Sequence, residues 1–308
     1  MTTSTTSIST AGLTRGEWLS LRRRGIGGSD VAAILGLSKW RTPLDVYRDK
    51  IGEGAEQPDS PAMEWGRRLE PVIREKYAEA TGLSVDKPDL MLISGEHPYM
   101  IADLDGICSD GRLLEIKTAR SGDGWGEPGT DEIPEYYMTQ AQHYMAVTGT
   151  ERCDVAVLIG ATDFRIYCAE RDQELIDMLI QAEAAFWLTH VVARVPPAPT
   201  TAADVRSLYA DDDGELAEAT NDEAVLIGEL KTARARLKEL EAETKALESK
   251  LIVAIGARAG LTIGGEKAVT YKTQTSRRFS AAAFKAEAPA DTYAKYATET
   301  KTRVLRIA

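Results

Sequence analysis

The stretch "IADLDGICSDGRLLEIKTA", residues 101–119, decides the reading of this chain. β-prone residues flank a Ser-Asp-Gly turn at 109–111, which predicts a hairpin with "YMIADLDGI" as one strand and "GRLLEIKTA" as its partner. Asp105 then lies at the end of the first strand and Glu115 on the second, and the short turn lets both carboxylates reach one point. Side chains alternate along a strand, so Glu115 and Lys117 face the same side. Two carboxylates and the Ile116 carbonyl suit a hard cation such as Mg²⁺ or Mn²⁺. Such an ion lowers the pKa of bound water and polarises a phosphodiester, and Lys117 is placed to orient the water or steady developing charge. The pattern alone leaves two readings open, metal-assisted hydrolysis and an ordinary acidic hairpin. The strand otherwise reads as core, where charges need partners, and this favours the first. Asp103, Asp105 and Asp110 do not make a calcium loop, because the Gly comes too early and Leu114 stands where the closing Glu belongs.

Further out, helix and strand signals alternate over residues 15–198. Thr14 with Glu17, Ser29 or Asp30, Thr42 with Pro43, and Ser60 with Pro61 each mark a helix start. Pro71 is expected to kink or restart the fourth helix. "DLMLIS" is a further strand, "IPEYYMTQAQHYMAVTG" a helix, "CDVAVLIG" and "FRIYCAE" a strand pair, and "DQELIDMLIQAEAAFWLTHVVARV" a long amphipathic helix. This order predicts an α/β fold, a mixed sheet with helices on its faces. Residues 1–14 read as a disordered polar tail without the apolar segment of a signal peptide, and 199–220 as a linker that starts Pro-rich. Residues 221–308 form a C-terminal extension. It comprises a long helix with leucines in a heptad frame (Leu226, Leu230, Leu237, Leu240, Leu247, Leu251), a hairpin around "GGEKAVTYKTQTSRRFS" and a basic end. A coiled-coil seam is the expectation.

Composition narrows the function classes. With 43% hydrophobic and 28% charged residues in 308, the chain reads as globular, with no membrane span expected. Cys108, Cys153 and Cys168 are too few for a disulfide framework or a four-thiolate cluster, and suit a reducing cytosol. A net charge of −11 argues against indiscriminate nucleic-acid binding. The charge is uneven, however. Arg15, Arg22, Arg23 and Arg24 stand against Glu17 alone in 15–25, and nine basic residues face four acidic ones from Thr262 onward. His97, His143 and His190 are scattered and read as structural, and Met138 and Met145 as helix core. Trp40 and Trp65 are expected in the core, and Trp125 in a mobile Gly-rich surface loop beside the site, with base stacking as its alternative use.

Four ordered segments carry a family likeness: "RRRGIGGSDVAAILGLSKWRTPLDVY", "MEWGRRLEPVIREKY", "IADLDGICSDGRLLEIKTA" and "YYMTQAQHYMAVTG". On these the chain resembles the YqaJ-type viral recombinases, relatives of phage lambda exonuclease within the PD-(D/E)XK nuclease superfamily. The resemblance implies a restriction-endonuclease-like core and a phage or prophage 5′→3′ exonuclease. Its substrate would be linear double-stranded DNA, cut with one or two Mg²⁺ or Mn²⁺ ions. It implies Asp105, Glu115, Lys117, Glu70 and Gln140 as catalytic residues, with Asp105, Glu115, Ile116 and Glu70 on metal. The usual Pro-Asp is Leu-Asp here, at Leu104–Asp105. Arg23 and Ser29 would grip a 5′-phosphate, and a glycine-rich helix start suits an anion. Arg22, Arg24, Trp125, Arg277 and Arg278 are further candidates for DNA contact. The implied partners are duplex DNA ends, a single-strand annealing protein and copies of the same chain in a ring, a trimer among the options. The rivals are an endonuclease of the same superfamily and a non-catalytic DNA-binding scaffold.

Overall fold

Strand and turn signals around the opening stretch are realised, but as three short strands rather than two. In the computed structural model, which describes residues 5–54, 60–277, 280–287, 290–297 and Leu305, β-structure breaks at Leu104–Asp105. The chain divides into two units, Met1–Leu208 and Tyr209–Ala308. The first unit therefore ends ten residues beyond the expected 198. It runs β1 (Thr5–Ser9), α1 (Arg15–Arg22), β2 (Ile26–Gly27), α2 (Gly28–Ile34), α3 (Pro43–Ile51), α4 (Pro61–Thr81), β3 (Val85–Asp86), β4 (Leu90–Ser94), β5 (Met100–Asp103), β6 (Gly106–Cys108), β7 (Leu113–Ala119), α5 (Glu135–Thr148), β8 (Arg152–Ile159), β9 (Asp163–Glu170), α6 (Gln173–Phe186) and α7 (Ala202–Leu208).

The strands make two sheets, ordered β1-β4-β5-β2 and β3-β6-β7-β8-β9. Both are mixed: β2 runs parallel to β5, and β7 parallel to β8 with α5 as the crossover, while the other pairs are antiparallel. This is the mixed α/β fold, strands and helices together, that the order of elements predicts. Alternation along β7 sorts its side chains between two helices. Leu114 and Ile116 pack with Ile73 and Tyr77 of α4. Leu113 packs with Ala141 and Met145 of α5, and Glu115 and Lys117 lie on the same side, within reach of Gln140. The central strand is covered on both faces, so Glu115 is buried and Lys117 half-buried.

Most helix starts follow the sequence. Thr14, Thr42 and Ser60 cap α1, α3 and α4 through their side-chain oxygens. The second start differs: Gly27 is the cap, and Asp30, expected as a cap itself, is the third helical residue whose carboxylate accepts from the Gly27 N–H. A single helix runs through Pro71. Residues 5–9 are an edge strand on β4 rather than a tail, because Ile8 has an apolar seat beside Met91, Ile101 and Trp18. The expected 199–220 linker contains α7, which is held to α3 by Thr42 Oγ1 donating to Asp204 at 3.0 Å and by Arg48 donating to the Ser207 carbonyl at 2.8 Å. Gln173–Val192, whose last six residues form a π-helical turn, is long and apolar enough to cross a membrane by composition. Here Ile176, Leu179, Phe186 and Val191 are core residues, and buried Glu183 lies on the same helix.

Trp125 is buried between Tyr137 and Tyr167, with ring centroids at 5.5 and 5.1 Å. The surface-loop expectation thus fails, as does the core expectation for Trp40 and Trp65, which are 65% and 60% exposed. Glycine content marked the Trp125 loop as mobile, but a β8–β9 face of Val155, Val157 and Ile159 gives its indole a place to pack.

In the second unit, α8 (Asn221–Ile255) is one helix, and Leu226, Leu230, Leu237, Leu240, Leu247 and Leu251 are exposed on it. A hairpin of β10 (Gly260–Ile263) and β11 (Glu266–Thr270) follows, four residues earlier than the expected start at Gly264. Gly264 and Gly265 both have positive φ, which the tight turn requires. Two short helices, α9 (Ala281–Glu287) and α10 (Ala290–Tyr296), complete it.

Candidate active site

β6 pairs with β7 so that Gly106 faces Leu114 and Ile107 faces Leu113. Asp105 immediately precedes β6, and Glu115 follows Leu114 on β7, one step past the paired residues. The break before β6 frees the Asp105 side chain to turn inward, where Oδ2 accepts from the Ile116 N–H at 2.8 Å. Glu115 is buried; its Oε1 accepts from Gln140 Nε2 at 2.7 Å and from the Lys117 ammonium. Lys117 also donates to Gln140 Oε1 at 3.0 Å and lies 4.7 Å from the centroid of the Tyr137 ring. Gln140 therefore reads both partners, amide to carboxylate and carbonyl to ammonium, which fixes its orientation. Gln142, two residues on, instead ties the Glu170 carbonyl and Asp172 N–H.

Burial and the neighbouring Glu115 charge push the Asp105 carboxyl well above its usual range. Burial raises Glu115 as well, against the pull of Lys117. Burial alone would lower Lys117, but Glu115 and Asp105 outweigh it and hold the ammonium charged. Two acids in repulsion, with one cation held against Glu115, form a site short of positive charge. That excess, with hard oxygen donors from Asp105 and Glu115, fits a divalent cation. Glu70 lies near enough for its charge to add to the upward push on both carboxyls, but its own carboxylate is engaged elsewhere. It accepts from Lys87 at 2.5 Å and from Arg74, whose Nε donates to the Asp105 carbonyl at 2.9 Å. Among the described residues no group of three or more His, Cys, Asp or Glu stands in a ligating arrangement.

Beside this centre lies a cavity of about 140 Å³ lined by Trp18, Arg22, Gly27, Ser29, Asp103 and Tyr144, among others. Arg22 Nη2 donates to Ser29 Oγ at 2.5 Å, and its guanidinium lies 5.6 Å from the Trp18 ring centroid. Arg23, expected to share the grip with Ser29, instead donates to Asp49 at 3.3 Å. The two arginines are consecutive at the end of α1 and point differently, so only one can reach the α2 start. Arg24 is exposed. Cavity and carboxylates are joined by α5, since Tyr144 lines the cavity and accepts from Gln140 Nε2 at 3.0 Å. Gly28 permits this closeness, because a Cβ there would lie 2.7 Å from the Tyr144 ring and 2.8 Å from Gln140 Cγ.

Arg22 is held from behind by Asp30. This buried carboxylate accepts from Arg41 Nη1 at 2.6 Å, Lys50 Nζ at 2.6 Å, the Gly27 N–H at 3.1 Å and Arg22 at 3.2 Å. Burial would raise its pKa, but Lys50, Arg22 and Arg41 together hold it far below the usual range. Lys50 also donates to the Arg22 carbonyl at 3.2 Å.

A YqaJ-like viral recombinase domain matches residues 17–151, which contain every residue of the centre and the cavity grip. The protein YqaJ of Bacillus subtilis (strain 168) is 33% identical over 300 residues, covering 94% of this chain and 93% of its own length. The chain belongs to the YqaJ-like viral recombinase family. The family's likeness extends to protein R354 of Acanthamoeba polyphaga mimivirus, 28% identical over 151 residues, 45% of this chain and 27% of that one. Among solved structures it is similar to an alkaline exonuclease (LHK-Exo) from Laribacter hongkongensis, at 25% identity and TM-score 0.47 over 58% of this chain and 93% of that chain.

Other expected residues lie outside the centre. Trp125 is internal, and Arg277 is exposed in the second unit. Arg278 lies outside the described residues, as do Phe279, Lys301, Arg303 and Arg306. Sequence reading missed Arg41, Lys50, Tyr137 and Tyr144. For Lys50 and Arg41 the only signal was the buried Asp30 they neutralise, 20 and 11 residues away.

Proposed function

We propose that this family member is a metal-dependent deoxyribonuclease that degrades linear duplex DNA from its 5′ ends. The observation that carries the reading is the Asp105–Glu115–Lys117–Gln140 cluster, half-buried at Asp105 and Lys117 and buried at Glu115 and Gln140, beside the Arg22–Ser29 cavity. A carboxylate pair short of positive charge supports Mg²⁺ or Mn²⁺ binding by Asp105, Glu115 and the Ile116 carbonyl, with Glu70 at the periphery once freed from Lys87. When bound, the ion would activate water and polarise the phosphodiester. Lys117, charged and braced by Gln140, stabilises negative charge that develops on the phosphate. Arg22, Ser29 and the N–H groups at the start of α2 suit a terminal 5′-phosphate. This supports an exonuclease over an endonuclease, because a closed duplex offers no such group.

By this reading the products are 3′ single-stranded tails, the form a strand-annealing protein uses in phage-type recombination. The exposed α8 leucines support assembly with further copies of the chain. The test uses 5′-phosphorylated linear duplex, the same duplex with 5′-hydroxyl ends, closed circular plasmid and single strands, each with Mg²⁺ and with EDTA. Mg²⁺-dependent loss of the phosphorylated linear duplex is expected, with the circle intact. Loss of the circle favours an endonuclease. Full activity in Lys117→Ala refutes the catalytic assignment.

A further inference from the structure

Trp40 is the wrong residue to leave in water unless something covers it. Its loop between α2 and α3 is pinned: Ser38 Oγ accepts from the Trp40 and Arg41 N–H groups at 3.2 Å each, and the Leu37 and Ser38 N–H groups both donate to the Ala32 carbonyl. Arg41 anchors the far end on Asp30. A loop so fixed presents the indole in one place, 65% exposed, rather than folding it under. Its neighbours lead inward ring by ring. Trp40 meets Tyr136 edge-on at 5.1 Å, Tyr136 meets Tyr137 at 4.4 Å, and the Lys117 ammonium lies 4.7 Å from the Tyr137 centroid. Lys39 lies 5.6 Å from the Tyr136 ring, adding positive charge at the outer end.

The strip is a run of rings set edge to face, 88° between Trp40 and Tyr136 and 67° between Tyr136 and Tyr137, so the indole offers an open face at its outer end, flanked by Lys39 and leading inward to Lys117. An unpaired nucleobase in a polynucleotide matches it: the π-face stacks and the adjoining phosphates meet Lys39. We propose that Trp40 and Tyr136 form a stacking subsite for an unpaired base of the DNA strand engaged at Lys117. The proposal rests on the DNA-processing reading above. The subsite holds the strand without base preference, since every base offers a π-face.

The test measures binding without cleavage. In EDTA, the full chain is titrated with a 5′-phosphorylated duplex carrying a short unpaired end, with 2-aminopurine placed in turn at each unpaired position. Wild type should quench the probe at one position. Trp40→Ala should abolish that quenching and weaken binding about tenfold or more, with Trp40→Tyr restoring most of it. An abasic nucleotide at that position should weaken wild type equally and leave Trp40→Ala unchanged. Equal affinity of wild type and Trp40→Ala overturns the proposal, as does an undiminished effect of Trp40→Ala on the abasic strand. Trp40 is exposed, so Trp40→Ala should unfold with the same midpoint as wild type; a shift there by several degrees overturns the free-surface premise. Because binding is read in EDTA, a protein that binds and stacks DNA but never cleaves it upholds this subsite while refuting the nuclease reading.

Discussion

Replacing Asp30 with asparagine should be the most damaging single-charge change in the first unit. The carboxylate accepts four hydrogen bonds in a fully buried position, two of them at 2.6 Å from Arg41 and Lys50. Asparagine supplies one oxygen and turns an N–H₂ toward at least one donor. The Lys50 ammonium, with no exposed side-chain surface, keeps only Asp49 at 3.9 Å and the Arg22 carbonyl. Leaving a buried charge without its partner costs about 3–5 kcal/mol. For a unit of this size that is a fall in melting temperature of roughly 6–20 °C.

Arg22 also loses the acceptor that orients it toward Ser29, and a hydrogen bond to a charged group is worth about 1.5–3 kcal/mol. Affinity for 5′-phosphorylated ends should therefore drop roughly tenfold to a hundredfold. Denaturant unfolding and end-binding in EDTA measure the two effects. The second variant, Lys50→Met, removes the cation and its desolvation cost together and leaves Asp30 with both arginines. Asp30→Asn/Lys50→Met should accordingly be more stable than Asp30→Asn alone. The acid limb carries the sign. Because the folded pKa is depressed, Asp30 stabilises above its unfolded value near about 3.9, and this is lost as pH falls below it. The wild-type advantage over Asp30→Asn should thus persist at neutral pH and shrink only in acid. A stability loss under about 0.5 kcal/mol at pH 7, or a double variant worse than the sum of its parts, refutes the account of a charge hub.

Glu115→Gln should lower cleavage by at least about a hundredfold, yet raise the metal-free melting temperature, because it removes one of two repelling carboxylates. Gly28→Ala must push α2 from α5, since its Cβ would meet the Tyr144 ring at 2.7 Å; a cost of about 1–3 kcal/mol is expected in chemical unfolding, with weaker end-binding. His143 faces Glu183 and the Ile101 carbonyl at its two ring nitrogens, both at 2.9 Å, an arrangement in which a protonated ring donates at both. Burial works against that charge, Glu183 outweighs it, and the folded pKa is raised. Its stabilisation is complete below about 6.5 and lost as pH rises through the folded value, so Glu183→Gln should flatten the alkaline side of a melting-temperature–pH profile.

The parts of the fold written in local chemistry were legible. Thr14, Thr42 and Ser60 announce their helices because a cap needs only the next turn, and strand alternation put Glu115 and Lys117 on one side of β7. What was not legible depended on distant partners. Nothing near Trp125 shows that a β8–β9 face is there to receive it, and nothing near Trp40 shows that Ser38 and Asp30 pin its loop outward. Arg22 and Arg23 are chemically identical neighbours, and only the position of Ser29 on α2 and Asp49 on α3 separates them. The strand that seemed continuous through 99–107 breaks at Leu104–Asp105 because its two halves serve different sheets.

That break also explains why the centre is where it is. A strand passing straight from β5 into β6 would commit the Asp105 backbone to one ladder and its side chain to the pleat. The change of sheet lets Asp105 turn to the Ile116 N–H while Arg74 takes its carbonyl. The other half of the geometry comes from α5. Gln140 and Tyr144 are four residues apart, so they share one stripe of a single helix. One touches Glu115 and Lys117, and the other lines the Arg22 cavity. The spacing between carboxylates and cavity is therefore set by one helical turn rather than by loops. Under the proposed reading, that makes the distance from the bound 5′-phosphate to the attacked phosphodiester a property of α5. Changes that tilt α5, such as Gly28→Ala, should then alter the length of the released product as well as the rate. Products resolved by mass should show whether the register is built into the helix; unchanged products from a measurably slowed Gly28→Ala variant would place it elsewhere.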